Sequence, residues 1–221
     1  MSKKSFFVKA IIFDMDGVIT NTMPDHYKAW HVVLMRHGVK ANHHDIYSRE
    51  GQKGLQSVEE IFARYGKAFN RPLGFKILKE KERLFKKIVK RRFIVGSRSF
   101  IKQMHEKGFV LGLVTGTARH ELNRILPKNI YSLFKTIVTG SDVHNGKPHP
   151  EPFMRCLRQL NLKANDAIVI ENAPLGIASA KAAGLKCLAL QTSLTSRFLK
   201  NADGIYKTIN EMQQKVNFQK S

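Results

Sequence analysis

The sequence predicts an α/β protein with a parallel-sheet core and a helical subdomain inserted after the first core strand. Short apolar runs of strand length recur along the chain, helical patterns separate most of them, and one long helical stretch follows the first run. Strands that alternate with helices in this way form parallel sheets with right-handed crossovers.

Five apolar runs are predicted to form the core strands. Each is short and nearly free of charge, which is typical of a strand buried on both faces. The runs are VKAIIF (8–13), VLGLVT (110–115), TIVTG (136–140), AIVIE (167–171) and LKCLAL (185–190). Helical patterns cover 98–107, 118–126, 151–160 and 175–183. The tail from residue 201 predicts a last short strand and helix.

The stretch from residue 22 to residue 92 contains no comparable strand. Its patterns are helical: HYKAWHVVLMRHG, GLQSVEEIFARYG and FKILKEKERLFKKIVKRRF. Gly38 and Gly66 stand where helix C-caps are expected. We therefore predict a core made of residues 1–21 and 93–221 and an inserted helical subdomain of residues 22–92.

The chain is strongly basic, with 38 Lys and Arg against 17 Asp and Glu, a net charge of +21. Such a field attracts anions, whether nucleic acid, anionic lipid or phosphorylated metabolites, and composition alone does not choose among them. Residues 76–92 concentrate the charge, which is typical of a solvated helix face.

No segment predicts export or membrane insertion. The N-terminal MSKKSFFVKAIIF resembles a secretory signal, but Lys9 interrupts its apolar run and Asp14 and Asp16 stand where a cleavage site would lie. No other segment reaches transmembrane length without charges. Cys156 and Cys187 have no metal-ligand spacing and predict free thiols. We expect a cytoplasmic protein without a membrane partner.

Polar side chains follow the predicted strands at the points where those strands end. In a parallel α/β sheet, ligands collect at the carboxyl ends of the strands. The side chains concerned are Asp14 and Asp16 after the first run, Thr115 after the second, Lys147 after the third, and Glu171 and Asn172 after the fourth. Each residue alone is a weak signal, but their joint occurrence in this order predicts a site.

This set of side chains suits phosphoryl transfer. Carboxylate and amide oxygens are the ligands that Mg²⁺ prefers, and Lys147 would neutralise charge on phosphoryl oxygens. Thr115 and the backbone amides of Gly116 and Thr117, at a predicted helix start, would form an anion cradle.

The carboxylate pair divides into two predicted roles. Asp14 is the better nucleophile because it leaves the strand first, and its attack on phosphorus would form an aspartyl-phosphate. Asp16 would exchange protons with the leaving group or with water. Gly17 allows the tight turn that brings Asp16 back toward the same cavity.

Four segments resemble the motifs of the haloacid dehalogenase (HAD) superfamily. They are DMDGVITNT, VTGTA, GKPHPEPF and VIENAPLGIASAKAAG, in the family's order and over nearly the whole chain. The inserted helices resemble the cap of the subfamily that contains β-phosphoglucomutase and phosphoglycolate phosphatase. The resemblance implies a Rossmann-like core and a metal site for Mg²⁺. Its implied metal ligands are the Asp14 side chain, the Asp16 backbone carbonyl, Glu171 and Asn172, and it gives Asp14, Asp16, Thr115 and Lys147 the catalytic roles described above.

Position 172 departs from the family pattern. The fourth motif usually has two acidic residues, whereas Glu171 is followed here by Asn172. An amide oxygen can bind the metal but brings no charge, so either Mg²⁺ is bound more weakly or the enzyme works without metal, as in the dehalogenase branch. That branch lacks the second aspartate of the first motif, and the presence of Asp16 argues against it.

The helical subdomain supplies the candidate substrate-binding residues. His26 and Trp30 lie four residues apart and resemble the hinge histidine and the sugar-adjacent tryptophan of β-phosphoglucomutase. Packing inside the subdomain would equally explain Trp30, and a surface position would explain His26. The segment SREGQKGLQSVEEIF (48–62) resembles the substrate loop of such caps, in which Arg49 or Lys53 would offer a second anion contact.

Three functions compete. The leading one is a Mg²⁺-dependent phosphatase for a small phosphorylated metabolite, and the second is a phosphohexomutase like β-phosphoglucomutase. The third is a non-catalytic nucleic-acid-binding relative, suggested by the basic charge and Asn172. Binding alone has no use for Asp14, Asp16, Thr115 and Lys147 together, so we do not expect a nucleic-acid partner. We expect a monomer.

Overall fold

The computed structural model describes residues 3–221 and confirms the predicted α/β architecture. The strands are β1 (Lys4–Phe7), β2 (Ala10–Phe13), β3 (Val110–Val114), β4 (Thr136–Val138), β5 (Ala167–Glu171), β6 (Lys186–Leu190), β7 (Gly204–Tyr206) and β8 (Val216–Gln219). The α-helices are α1 (Met23–Arg36), α2 (His43–Tyr47), α3 (Gly54–Arg64), α4 (Arg71–Ile88), α5 (Ser97–Glu106), α6 (Leu122–Ile125), α7 (Lys128–Tyr131), α8 (Glu151–Leu160), α9 (Pro174–Ala182) and α10 (Ile209–Lys215).

Six strands form one parallel sheet in the order β4-β3-β2-β5-β6-β7. Strand β2 lies at its centre, between β3 and β5, and all four of its residues are buried. Separate hydrophobic clusters cover the two faces of the sheet, so the central strands need apolar side chains on both sides. This explains the continuous apolar runs in the sequence.

In the structure, one predicted strand is shorter than expected and one predicted helix is divided. The run 8–13 forms only β2, because the Val8 N–H donates to the Gln219 carbonyl while the Lys9 N–H donates to the Asp166 carbonyl. The chain therefore changes partner at this point, and the preceding β1 pairs with β8 in a small parallel sheet. The helix predicted over 118–126 is a 3₁₀ turn (Arg119–Glu121) followed by α6, and Pro127 precedes α7.

Helices α1 to α4, which we call the helical subdomain, lie between β2 and α5 in the chain. They share a hydrophobic cluster of their own, which includes Val33, Ile61 and Ile77 and is separate from the clusters on the sheet. The two connections to the core run side by side, since the Asn21 N–H donates to the Arg92 carbonyl at 2.9 Å. The limits of the subdomain at residues 22 and 92 stay a prediction.

Within residues 3–221, no helix has both the length and the apolar character needed to cross a membrane.

Candidate active site

The register of the parallel sheet brings the predicted site residues to one edge. Phe13 lies opposite both Leu113 and Ile170, so β2, β3 and β5 end at the same level. The Asp14 N–H still donates to the Ile170 carbonyl, at 3.0 Å, which fixes the position where Asp14 leaves the sheet.

Lys147 lies between the carboxylates of Asp14 and Glu171. Its Nζ is 2.6 Å from Asp14 Oδ1 and 2.6 Å from Glu171 Oε1, and all three side chains are buried. Burial alone would lower the pKa of Lys147, but the two carboxylates outweigh it and raise that pKa, so the ammonium stays charged. Burial raises the pKa of Asp14 above its ordinary value, and Lys147 opposes this.

Glu171 has hydrogen bonds to both of its carboxylate oxygens. Oε1 faces Lys147, while Oε2 accepts from the backbone N–H groups of Asn172 at 2.7 Å and Ala173 at 3.0 Å, just before α9. A Cβ on Gly176 would lie 1.7 Å from Glu171 Oε1, so the side chain fits only because position 176 is glycine. The predicted role of Glu171 as a metal ligand stays a prediction.

Asp16 is held by hydroxyl groups from both sides. Thr22 donates to Oδ1, and Thr117 donates to Oδ2 at 2.8 Å, with the Thr115 hydroxyl at 3.3 Å from Oδ2. Burial alone would raise the pKa of Asp16, but these contacts and the nearby His26 ring lower it to about 2. The carboxylate is therefore ionised at neutral pH and can accept a proton.

The residues predicted to form the anion cradle follow β3 directly. The Thr117 N–H donates to Thr115 Oγ1 at 3.1 Å, and the carbonyl oxygen of Gly116 lies against Gly140. The element that follows is the 3₁₀ turn Arg119–Glu121 rather than the α-helix expected there. The anion cradle stays a prediction, and it would consist of loop amides and hydroxyl groups without an α-helix N-terminus.

Three buried oxygens at this edge have no hydrogen-bond donor among residues 3–221: Asp14 Oδ2, Asn172 Oδ1 and Glu50 Oε1. The Asn172 amide nitrogen faces the Glu50 carboxylate at 2.9 Å and Ser193 Oγ at 2.9 Å, which leaves its oxygen free. Unpaired carboxylate and amide oxygens are the donors that Mg²⁺ prefers, so the residues fit that ion. Among residues 3–221, no group of three Asp, Glu, His or Cys side chains is arranged to hold a metal.

His26 connects Asp16 with Lys81. The Nε2 atom of His26 lies 3.4 Å from Asp16 Oδ1, and its Nδ1 atom lies 3.1 Å from Lys81 Nζ. An ammonium only donates, so Nδ1 accepts and Nε2 carries the proton that faces Asp16. Burial, and then the Lys81 ammonium, lower the pKa of His26, so the ring is neutral at neutral pH.

A cavity of about 200 Å³ lies between the carboxylates and the helical subdomain. Beyond Asp14 and Asp16, its lining includes Trp30, Arg49, Gln52, Lys81, Glu82 and Glu121. The Lys81 ammonium lies 5.4 Å from the Trp30 ring, so one wall presents an aromatic face beside a cation. Trp30 thus lines the cavity as well as packing inside the subdomain.

The two predicted anion contacts of the loop before α3 differ in placement. Arg49 lines the cavity, but its guanidinium is fixed by Glu60 Oε2 at 3.2 Å and by the Asp45 carbonyl at 2.9 Å. The predicted anion contact of Lys53 stays a prediction. Its Nζ donates to the core carbonyls of Gly140 and Val143, both at 2.7 Å, because the loop folds against the core and satisfies this ammonium there.

Sequence reasoning missed Glu50, Lys81 and Glu121. Glu50 lies inside the segment already noted, directly beside Arg49, and burial raises its pKa well above the ordinary value. The basic run 76–92 predicts a solvated face for Lys81. Ile77, Lys81 and Phe85 are spaced four residues apart, however, and all three lie on the buried face of α4. That spacing was the available signal. No signal in the sequence identified Glu121, because its place in the cavity lining depends on the direction of the 3₁₀ turn.

Comparison with known proteins gives consistent results. Residues 11–190 match the family model of haloacid dehalogenase-like hydrolases. A phosphorylated carbohydrates phosphatase of Thermotoga maritima is 30% identical over 183 residues, 81% of this chain and 83% of that protein. The validoxylamine A 7'-phosphate phosphatase of Streptomyces hygroscopicus subsp. limoneus is 27% identical over 206 residues, 93% of this chain and 96% of that protein.

Among solved structures, a Bacteroides vulgatus protein assigned as a beta-phosphoglucomutase is 31% identical, with a TM-score of 0.85. The match covers 95% of this chain and 88% of that one. The likeness therefore extends over both the sheet and the helical subdomain.

Proposed function

The chain belongs to the haloacid dehalogenase-like hydrolases, and from this we propose that it is a Mg²⁺-dependent phosphatase acting through an aspartyl-phosphate. Its substrate is a small phosphorylated metabolite, a sugar phosphate or a similar compound. The observation that carries the proposal is the state of Asp14. One carboxylate oxygen is held by Lys147 and the other is buried and lacks a donor within the described chain, at the edge of the sheet where ligands bind.

Asp14 attacks phosphorus with its unpaired oxygen, and the bond to the leaving-group oxygen breaks. Lys147 orients the nucleophile and neutralises charge on the phosphoryl oxygens. The Thr115 hydroxyl and the Gly116 amide hold those oxygens, and the Thr117 amide joins them when it exchanges Thr115 Oγ1 for a phosphoryl oxygen. Water then attacks the aspartyl-phosphate, releases phosphate and regenerates the Asp14 carboxylate.

Asp16 moves the proton in both halves of the reaction. Its low pKa supports the second half, in which an ionised carboxylate accepts a proton from the attacking water. In the first half, the leaving-group oxygen needs a proton, and Asp16, which is ionised at rest, takes that proton up from solvent and returns one to solvent after the second half. His26 and Thr22 orient Asp16 for both tasks.

Asp14, the Asp16 backbone carbonyl, Glu171 and Asn172 would hold Mg²⁺, and Glu171 also positions Lys147 beside them. When bound, the ion would supply positive charge that neutralises the phosphoryl oxygens. Burial, and then the carboxylates of Asp14, Glu171 and Asp16, raise the pKa of Glu50 while the Lys147 ammonium opposes them, which supports a need for further positive charge at the site.

The cavity limits the leaving group to a small molecule. A volume of about 200 Å³ has room for one sugar ring, and Trp30, Gln52, Glu82 and Glu121 offer an aromatic face and hydrogen-bond partners for hydroxyl groups. The helical subdomain acts as a cap that closes over the substrate and excludes bulk water.

The test is a substrate panel that measures released phosphate and isomerised sugar separately. It contains p-nitrophenyl phosphate, hexose phosphates, nucleotides and pyrophosphate, each with Mg²⁺ and with excess EDTA. We expect Mg²⁺-dependent phosphate release from a member of the panel. Wild-type protein that releases no phosphate from any of them would refute the proposal.

A phosphohexomutase is the second candidate, and Lys81 is the observation that favours it. Among residues 3–221 no carboxylate lies within 4 Å of its buried ammonium, so the lining of the cavity includes a cation for a second phosphate. A mutase would convert one hexose phosphate into its isomer without net phosphate release, and hexose bisphosphate would stimulate it. Phosphate release without isomer formation would exclude it.

A further inference from the structure

Glu50 belongs to the helical subdomain but reaches the core site. It lies in the loop between α2 and α3, and its Oε2 accepts from the Asn172 amide at 2.9 Å. Its Oε1 is buried and has no donor within residues 3–221. A buried carboxylate oxygen without a donor is costly, and a cation is the partner that would satisfy it.

The loop that carries Glu50 is held firmly against the core. Gly51, with φ of +80°, passes so close to Lys147 that a Cβ there would lie 2.4 Å from Lys147 Cδ. A Cβ on Gly116 would lie 2.7 Å from Gly51 Cα. Two residues further on, Lys53 donates to two core carbonyls. The close approach of Gly51 to Gly116 and Lys147, together with the two hydrogen bonds of Lys53, therefore fixes the backbone of the loop that carries Glu50.

Position 172 is the place where a carboxylate is missing. Its amide oxygen brings no charge, and the Glu50 carboxylate lies beside that same amide. Asn172 Oδ1 in the core and Glu50 Oε1 in the helical subdomain are both buried hard donors without a hydrogen-bond donor among residues 3–221, and the side chains that carry them are in contact.

We propose that Glu50 is a metal ligand supplied by the helical subdomain, which replaces the charge absent at position 172. The inference rests on the proposed function, since it concerns the Mg²⁺ of that reaction. It adds that the metal site is complete only when the subdomain is closed on the core. By reciprocity, Mg²⁺ then favours the closed form as much as closure favours Mg²⁺.

The experiment measures Mg²⁺ dissociation constants by calorimetry on the intact protein without substrate. Glu50→Gln keeps the size of the side chain and removes its charge, and we expect affinity to fall about 10- to 100-fold. Glu59→Gln, at an exposed position of α3, is the matched control and should bind like wild type. In the Glu50→Gln background, Asn172→Asp should restore most of the affinity, because it returns the carboxylate to the core.

Limited proteolysis gives a second readout. Mg²⁺ should slow cleavage at the connections between the subdomain and the core in wild type and in Glu59→Gln, and not in Glu50→Gln. Equal Mg²⁺ affinity in wild type and in a folded Glu50→Gln variant would overturn the inference and leave the proposed phosphatase intact. A wild-type protein that binds no Mg²⁺ would instead overturn the metal dependence in the proposed function, and this inference with it.

Discussion

The seam between Gly116 and Gly51 offers a direct test of whether closure of the helical subdomain is needed for activity. Gly116 lies between the two predicted phosphate-binding threonines, and its amide is retained in Gly116→Ala. The added Cβ would lie 2.7 Å from Gly51 Cα and 3.1 Å from Gly51 C. Both neighbours are backbone atoms, so no side-chain rotation relieves the overlap.

The size of the effect follows from those distances. Carbon atoms make ordinary contact at about 3.5–4.0 Å, so the loop carrying Gly51 and Glu50 must retreat by about 1 Å. A displacement of this size in a reacting arrangement costs about 100-fold in rate. We expect kcat/KM to fall about 100-fold, with little change in the free energy of unfolding, because the loop can retreat without disturbing the sheet.

The assay is hydrolysis of the substrate identified by the panel, together with denaturant unfolding. Gly66→Ala is the control: Gly66 has φ of +62°, and a Cβ there meets nothing within 4 Å. It should lose about 1 kcal/mol of stability and keep its activity. Full activity in Gly116→Ala, or equal losses of activity in both variants, would refute the reasoning about closure.

Two further predictions concern the same seam. Lys53→Met removes two charge-assisted hydrogen bonds to core carbonyls, so we expect about a tenfold rise in proteolytic cleavage between the subdomain and the core; an unchanged cleavage rate would show that this contact does not hold the subdomain. Asp142 anchors the loop that supplies those carbonyls. Burial alone would raise its pKa, but hydrogen bonds from Arg119 and Thr139 hold it below 3.8. Because the folded pKa is lowered, its stabilisation is present above pH 3.8 and is lost as pH falls through the folded pKa. Asp142→Asn should therefore be less stable than wild type by about 1–2 kcal/mol at neutral pH, with the difference in unfolding free energy shrinking below about pH 4; a difference independent of pH would contradict the ionic origin.

The core half of the site could be predicted from the sequence because one geometric rule governs it. Parallel strands end at the same edge, so the polar residues after β2, β3 and β5 had to lie together. The structure brings Asp14, Thr115, Glu171 and Asn172 to that edge, and Lys147 reaches it from the loop after β4. Lys147 needed the added assumption that its loop folds back over the sheet.

The subdomain half could not be predicted in the same way. No periodicity in the sequence relates the inserted helices to the sheet. The sequence alone therefore could not show which residues of the loop before α3 face the core and which face the cavity. Lys53, expected at the substrate, binds core carbonyls, whereas Glu50, three residues before it, reaches Asn172. The spacing of Lys81 within the buried stripe of α4 was readable, but the run of basic residues around it concealed the signal.

The central claim is that Asp14 becomes phosphorylated during the reaction. Its most direct test is rapid acid quenching of enzyme mixed with p-nitrophenyl phosphate and Mg²⁺, followed by borohydride reduction and peptide mass spectrometry. Reduction converts an aspartyl-phosphate into homoserine and leaves free carboxylates unchanged. We expect homoserine at position 14 alone, and none in Asp14→Asn. Homoserine at Asp16, or its absence while phosphate is being released, would contradict it.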